Sequence, residues 1–202
     1  MAPALLSFMV LIAVMGAVLV AFSHYNGLVR SQKRTQEAWS GIDVQLRRRA
    51  SLVPNLVEAV RGYAEHERET FEEVSRARGA LQKADGAGAT GAASNMLTQA
   101  LGRLMAVVEN YPQLRASDSF TSLRDDLRDT EEKIAYARQF YNRNVLDYNT
   151  RIETYPDAIL ARSFAFASAE FFETDGGGRA EVHVSFDRPA AGPQQPASPP
   201  AA

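Results

Sequence analysis

The chain has 202 residues, 22 basic and 24 acidic side chains, a formal net charge of −2 and no cysteine. Near-neutrality leaves no global field to gather nucleic acid, so no nucleic-acid partner is expected. Disulfide scaffolds and thiol chemistry are excluded, although lacking cysteine costs nothing in either redox compartment.

Ala4 to Phe22 is a run of 19 residues without a charge. At ~1.5 Å per helical residue it matches a hydrocarbon core of ~30 Å, so residues 4–22 are expected to hold the chain in a lipid bilayer. A cleaved signal would want a basic start and a shorter apolar core, and Met1-Ala-Pro3 supplies no basic group. Arg30, Lys33 and Arg34 follow the run, and the positive-inside bias then places the rest of the chain in the cytoplasm. The expected location is the bacterial inner membrane, single-pass.

Beyond the anchor, Trp39, Ile42, Leu46, Ala50, Val53, Val57 and Val60 advance by three or four residues, predicting a long helix up to about Gln82. Pro54 must kink this helix or begin a new one capped by Ser51. Lys83 to Ser94 is expected to be a Gly- and Ala-rich loop, and Met96 to Val108 a helix closed by Tyr111-Pro112. Phe120 to Tyr155 has a mean step of about 3.5 residues, the period of a coiled-coil seam, with Ser117 or Asp118 as cap and Pro156 as stop. Asp157 to Glu173 is expected to form a last helix with Leu160, Phe164, Ala167 and Phe171 on one face. The fold class is all-α, a single N-terminal transmembrane helix followed by an elongated antiparallel helical bundle. The domains are an anchor at 1–24, the bundle at 25–173, a linker with one candidate strand at 174–186, and a Pro/Ala-rich tail at 187–202 with too little apolar bulk to order.

Chemistry is hard to find. The residues three positions before His24, His66 and His183 are Ala21, Tyr63 and Ala180, so the Glu-x-x-His of a di-metal bundle does not occur. His66-Glu67 is not followed by a second histidine at position 70, which excludes the zinc-protease helix. There is no phosphate loop and no nucleophile elbow. No catalytic, metal or cofactor residue is expected, and no enzyme; a hydrolase or metal-binding bundle of unfamiliar type is the remote alternative.

Three features stand out instead. Trp39, Ile42 and Leu46 share the seam, with Trp39 expected as a core anchor and Asp43 as a half-buried register key paired with an arginine. Arg47, Arg48 and Arg49 form a basic cluster that suits either a solvated helix face or phosphates. Arg47 lies ~37 Å beyond Phe22 along a straight helix, several Debye lengths from a lipid surface. The acidic residues from Asp125 to Glu132 read as the wet face of the long helix. Tyr141-Asn142 and Tyr148-Asn149 repeat at heptad spacing, followed by Tyr155. This stripe is either bundle core, with asparagines fixing helix register, or a groove for an extended peptide or another protomer's helix.

Tyr25-Asn-Gly-Leu-Val29, Ala38-Trp-Ser-Gly-Ile-Asp-Val-Gln-Leu-Arg-Arg-Arg49, Leu52-Val-Pro-Asn-Leu-Val-Glu58, Gly62-Tyr-Ala64 and His66-Glu67 together resemble the LemA family. So do Ala100-Leu-Gly-Arg-Leu104, Glu109-Asn-Tyr-Pro112, Thr130-Glu131, Ala137-Arg138 and the two Tyr-Asn pairs. The match runs in order over about residues 20 to 172, and Val182-x-Val-x-Phe186 resembles the family's closing segment without its usual preceding proline. The resemblance implies a single-span bacterial membrane protein with a long helical bundle, and brings no enzymatic activity or catalytic residues. Relatives with membrane-remodelling roles in magnetosome formation point towards scaffolding. The leading expectation is a non-enzymatic interaction or scaffold protein with an unknown protein partner or self-association. The alternative is a membrane-shaping protein using Arg47 to Arg49 and the aromatic last helix.

Overall fold

A computed structural model describes residues 2–64 and 66–172. The expected linker, candidate strand and tail at 174–202 lie outside the described residues. Among the described residues the elements are all helical: α1 (Ala2–Arg61), α2 (Arg68–Lys83), α3 (Ala87–Val108), α4 (Pro112–Arg115), α5 (Asp118–Glu153) and α6 (Asp157–Ser163). A turn at 164–165 and then a segment outside any helix, residues 166–172, follow α6.

Helix α1 runs without a break from the apolar stretch into the bundle. Its first turns are long and apolar enough to cross a membrane, and their large side chains stand exposed on every face. Farther along, Leu28, Thr35, Ala38, Ile42, Leu46, Arg49, Val53, Leu56 and Val60 are buried, a seam that steps by three, four or seven residues. Helix α5 presents Phe120, Leu127, Thr130, Ile134, Tyr141, Val145 and Tyr148 to that seam. The two helices run antiparallel, since Thr35 donates to the Asn144 carbonyl, Trp39 stacks on Tyr141 and Arg48 meets Asp129. Ser117 caps α5 by accepting from the Phe120 amide at 3.3 Å, as its sequence suggests.

Pro54 neither breaks nor restarts α1. Lacking an N–H, it leaves the Ala50 carbonyl without its helical partner. Arg78 of α2 fills the vacancy, its Nε donating to that carbonyl at 2.9 Å. The proline thus opens a docking point for α2. The chain leaves α1 by a turn at Gly62 and Tyr63 rather than continuing as one helix to Gln82.

The expected loop at 83–94 is mostly helix. Ala87, Thr90, Gly91, Ala93 and Ser94 are buried in the first turns of α3, where small side chains let helices approach closely. Only Ala84 to Gly86 connects α2 to α3, with Gly86 at φ 82°, a region glycine enters freely. The α2–α3 hairpin packs on the distal part of α1 and buries Phe71, Val74, Leu81, Leu97, Leu101 and Leu104 with Val53 to Val60. Each such side chain contributes roughly 1.5–3 kcal/mol by leaving water.

The expected last helix is also corrected. Helix α6 has seven residues and ends in a Schellman turn: the Phe166 amide donates to the Ala161 carbonyl at 2.9 Å, and Ala165 takes φ 55°. The chain then leaves α6 as an extended strap. Tyr155 is corrected as well. Helix α5 stops at Glu153 and Thr154 is extended, so position 155 leaves the helical period and its ring is 77% exposed.

Candidate functional site, a clamp for an extended segment

The two Tyr-Asn pairs of α5 hold the strap. Tyr148 Oη donates to the Ala167 carbonyl at 2.8 Å, and Tyr141 Oη donates to the Glu170 carbonyl at 2.7 Å. Each asparagine engages both groups of one strap residue. Asn149 donates to the Ala169 carbonyl and accepts from its amide, both at 2.9 Å. Asn142 does the same with Phe172, at 3.2 and 2.9 Å.

The repeat has a simple metric origin. Seven helical residues rise about 10.5 Å, and three extended residues span about 10 Å. Contacts on α5 therefore recur every seven residues while those on the strap recur every three, in the opposite chain direction. Tyr141 and Tyr148 are bundle core with satisfied hydroxyls, as the first reading of the stripe has it, and the chain's own residues 166–172 lie along them as an extended peptide would; Tyr155 is in neither. The asparagines set the register of the strap, not of helices against one another. Burial raises the Tyr148 hydroxyl above its ordinary pKa, and burial together with the nearby Glu170 charge raises Tyr141. Both stay protonated donors at neutral pH.

Helix α1 forms the other wall. Trp39 lies 5.4 Å from the Tyr141 ring and 6.1 Å from that of Phe172, and Tyr25 packs on Phe164 at 4.9 Å and Phe166 at 5.9 Å. Trp39 is half-buried rather than a full core residue, because it stands between two surface hollows. One hollow, of about 560 Å³, reaches Asp43, Arg47 and the α2–α3 turn; the other, of about 440 Å³, is floored by Tyr141, Tyr148 and the strap. Ile42 and Leu46 are core, as expected. Asp43 is half-buried and pairs with Arg47 at 2.9 Å, one turn on.

The three arginines do not form one patch, since successive helical residues point about 100° apart. Arg48 crosses to Asp126 and Asp129 at 3.4 and 3.0 Å. Arg49 is 4% exposed, pairs with Glu131 at 2.8 Å and donates to Thr98 at 3.0 Å, joining α1, α5 and α3. Burial lowers the Arg49 pKa and Glu131 opposes the shift. The acidic run is partly exposed, but it also supplies the partners of this cluster. Removing Glu131 leaves a buried charge, whereas replacing Arg49 by an apolar side chain removes the demand for a partner. Glu131→Ala should therefore lower the melting temperature more than Arg49→Met; the reverse order would show that the cation, not its pairing, matters.

At the membrane-proximal end, Asp157 is buried between His24 Nδ1, at 2.5 Å, and Arg151 Nε. Gly27 gives the Arg151 guanidinium room to cross α1. Burial opposes ionisation of Asp157, yet hydrogen bonds and charge from Arg151 and His24 outweigh it and hold the carboxyl below its ordinary value. The folded state thus binds this proton less readily than the unfolded chain. The stability gained is complete above the unfolded value of about 3.9 and is lost as pH falls through the folded one. Asp157→Asn should lower the melting temperature at neutral pH and flatten its fall in acid. A variant with the wild-type acid limb would remove Asp157 from this role.

Neither the Arg78 and Thr35 contacts nor that of His24 with Asp157 has a local sequence signal, because the partners lie 28, 109 and 133 residues apart. Among the described residues, no group of three or more His, Asp or Glu side chains is placed to hold a metal ion. The clamp itself binds backbone amides and carbonyls.

The chain is 29% identical to magnetosome proteins MamQ 1 and MamQ 2 of Paramagnetospirillum magneticum, over 80% of its own length and 69% of theirs. It is 29% identical to MamQ of Magnetospirillum gryphiswaldense, over 73% and 64%. With Protein LemA of Metamycoplasma hominis the identity is 24%, over 79% and 74%. The LemA family profile matches residues 38–186, a span that takes in most of the α1 seam, both Tyr-Asn pairs and the strap. The chain belongs to the LemA family.

Proposed function

We propose that this protein is a membrane-anchored, non-enzymatic helical scaffold of the bacterial inner membrane, with its bundle in the cytoplasm. The observation that carries the proposal is the continuity of α1, which passes from the apolar stretch to Arg61 without a joint. A continuous helix transmits position: from Phe22 to Arg61 it rises about 60 Å. The α2–α3 hairpin is thereby held at a fixed height above the bilayer, with Met96 exposed on its flank near the level of Arg49 and Tyr63 exposed just past the end of α1. Such a shaft suits presentation of a surface to a protein partner or to a second copy. The family and the magnetosome names of its relatives favour a membrane-associated, non-enzymatic role.

A membrane-shaping role through Arg47 to Arg49 has less support. Their guanidinium groups are engaged with Asp43, Asp126, Asp129 and Glu131. The expected last helix is helical only over Asp157–Ser163, and the residues after its closing turn are the strap.

Two measurements test the proposal. A reporter fused after Ala202 should work only if it is a cytoplasmic one, and alkaline phosphatase activity there would reverse the orientation. A photo-crosslinking residue at Met96 or Tyr63 should capture a defined species in membranes, whereas one at buried Ile42 should not. Equal and diffuse labelling at all three positions would end the scaffold proposal.

A further inference from the structure

The end of the bundle nearest the membrane carries an apolar cluster that the shaft does not use. Tyr155, Ile159 and Phe164 are 77%, 55% and 58% exposed, and all three belong to residues 154–165, an elbow made of the turn after α5, α6 itself and the turn that ends it. In water such a cluster is unfavourable and marks a contact surface.

The height of the elbow decides what it contacts. Helix α6 packs on α1, with Asp157 against His24 and Phe164 against Tyr25. Val18 is the least exposed of the large apolar residues in the span, at 42%, and Ala21 is half-buried. Positions 18, 21 and 25 lie on one face of α1, the face that the elbow covers. Phe22 is the last residue of the apolar run, so the elbow straddles the edge of the hydrocarbon layer. Interfacial depth is where aromatic and large aliphatic side chains are favoured.

The charges agree with that depth. Asp157 and Arg151 neutralise each other inside the elbow. Arg162 is exposed, and an arginine side chain at this depth is long enough to reach headgroup phosphates.

We propose that the α5–α6 elbow is a second membrane contact, in which Tyr155, Ile159 and Phe164 enter the headgroup layer of the same bilayer that holds residues 4–22. Two contacts on one bilayer fix the tilt of the α1–α5 shaft, which a single span leaves free. This inference rests on the anchor in the proposed function, and the test separates the two.

The chain has no cysteine, so single-cysteine variants label at one site. Ile159→Cys and Phe164→Cys carry a nitroxide in the full chain, reconstituted in phosphatidylethanolamine–phosphatidylglycerol vesicles. Leu11→Cys in the span and Tyr136→Cys, 74% exposed on the shaft, are the references. Relaxation by oxygen, which concentrates in lipid, is compared with relaxation by a water-soluble nickel complex. The expected result is an oxygen-to-nickel ratio at 159 and 164 between the two references and nearer to that of position 11. A ratio equal to that at 136, with position 11 in lipid, overturns the elbow contact and leaves the anchor. Protection from both reagents means that a protein neighbour covers the elbow, and this also overturns the proposal. A water-like ratio at position 11 overturns the anchor on which it rests.

Discussion

Replacing Asn142 and Asn149 together by alanine should free residues 166–172 while α1 and α5 stay paired. Each asparagine satisfies one amide and one carbonyl of the strap, at Phe172 and Ala169. Losing such a partner for groups that remain part-buried costs about 1–3 kcal/mol per site, so the pair is worth on the order of 2–6 kcal/mol. The two costs are not independent, because a strap released at one end loses grip at the other. A double-mutant cycle should therefore give less than the sum of the single effects. Opening is expected to be local, since the α1–α5 seam does not need the strap for its own hydrogen bonds. Hydrogen exchange at the Ala169 and Phe172 amides should accelerate, and Trp39 emission should shift red as Phe172 leaves its ring. Unchanged exchange at both amides in the double variant would show that the tyrosines and apolar packing hold the strap alone.

This clamp also marks where sequence reasoning stops. Helix α5 was legible because every signal agreed: the Ser117 cap, a sustained 3.5-residue step and a proline after its end. The α1 seam was legible for the same reason. The strap was not, because its contacts repeat every three residues, close enough to the helical period to imitate it. Phe166, Ala169 and Phe172 turn inward on an extended chain, while the face expected of a helix, Leu160, Phe164, Ala167 and Phe171, is mostly exposed. The corner that ends α6 has alanine at its left-handed position, where glycine would have announced a stop. In α3 the error ran the other way. Gly and Ala at 86–93 look like a loop by composition, and only a close helix neighbour explains why small side chains are wanted there. Pro54 was ambiguous because its resolution depends on Arg78, 24 residues on, accepting the role of the missing amide.

The largest single-site effect is expected at Tyr148, which is 1% exposed and lies where α1, α5 and the strap meet. Two parts of the side chain do different work, and two substitutions separate them. Tyr148→Phe keeps the ring and removes only the hydroxyl that donates to Ala167, at a net cost of about 0.5–1.5 kcal/mol. Tyr148→Ala removes the ring as well and leaves a cavity beside Val145, for which truncation of a buried aromatic typically costs about 3–5 kcal/mol. The same comparison at Tyr155 should give almost nothing in the detergent-solubilised protein, because that ring lies outside the seam. Thermal melts of the four variants provide the check. Tyr148→Phe should leave strap exchange only modestly faster, whereas Tyr148→Ala should lower the midpoint and open the strap together, since one ring supports both the seam and the clamp. A Tyr148→Ala variant with an unchanged midpoint but a freely exchanging strap would place the ring in the clamp alone. A Tyr148→Phe variant as unstable as Tyr148→Ala would mean that the hydroxyl, not the ring, carries the joint.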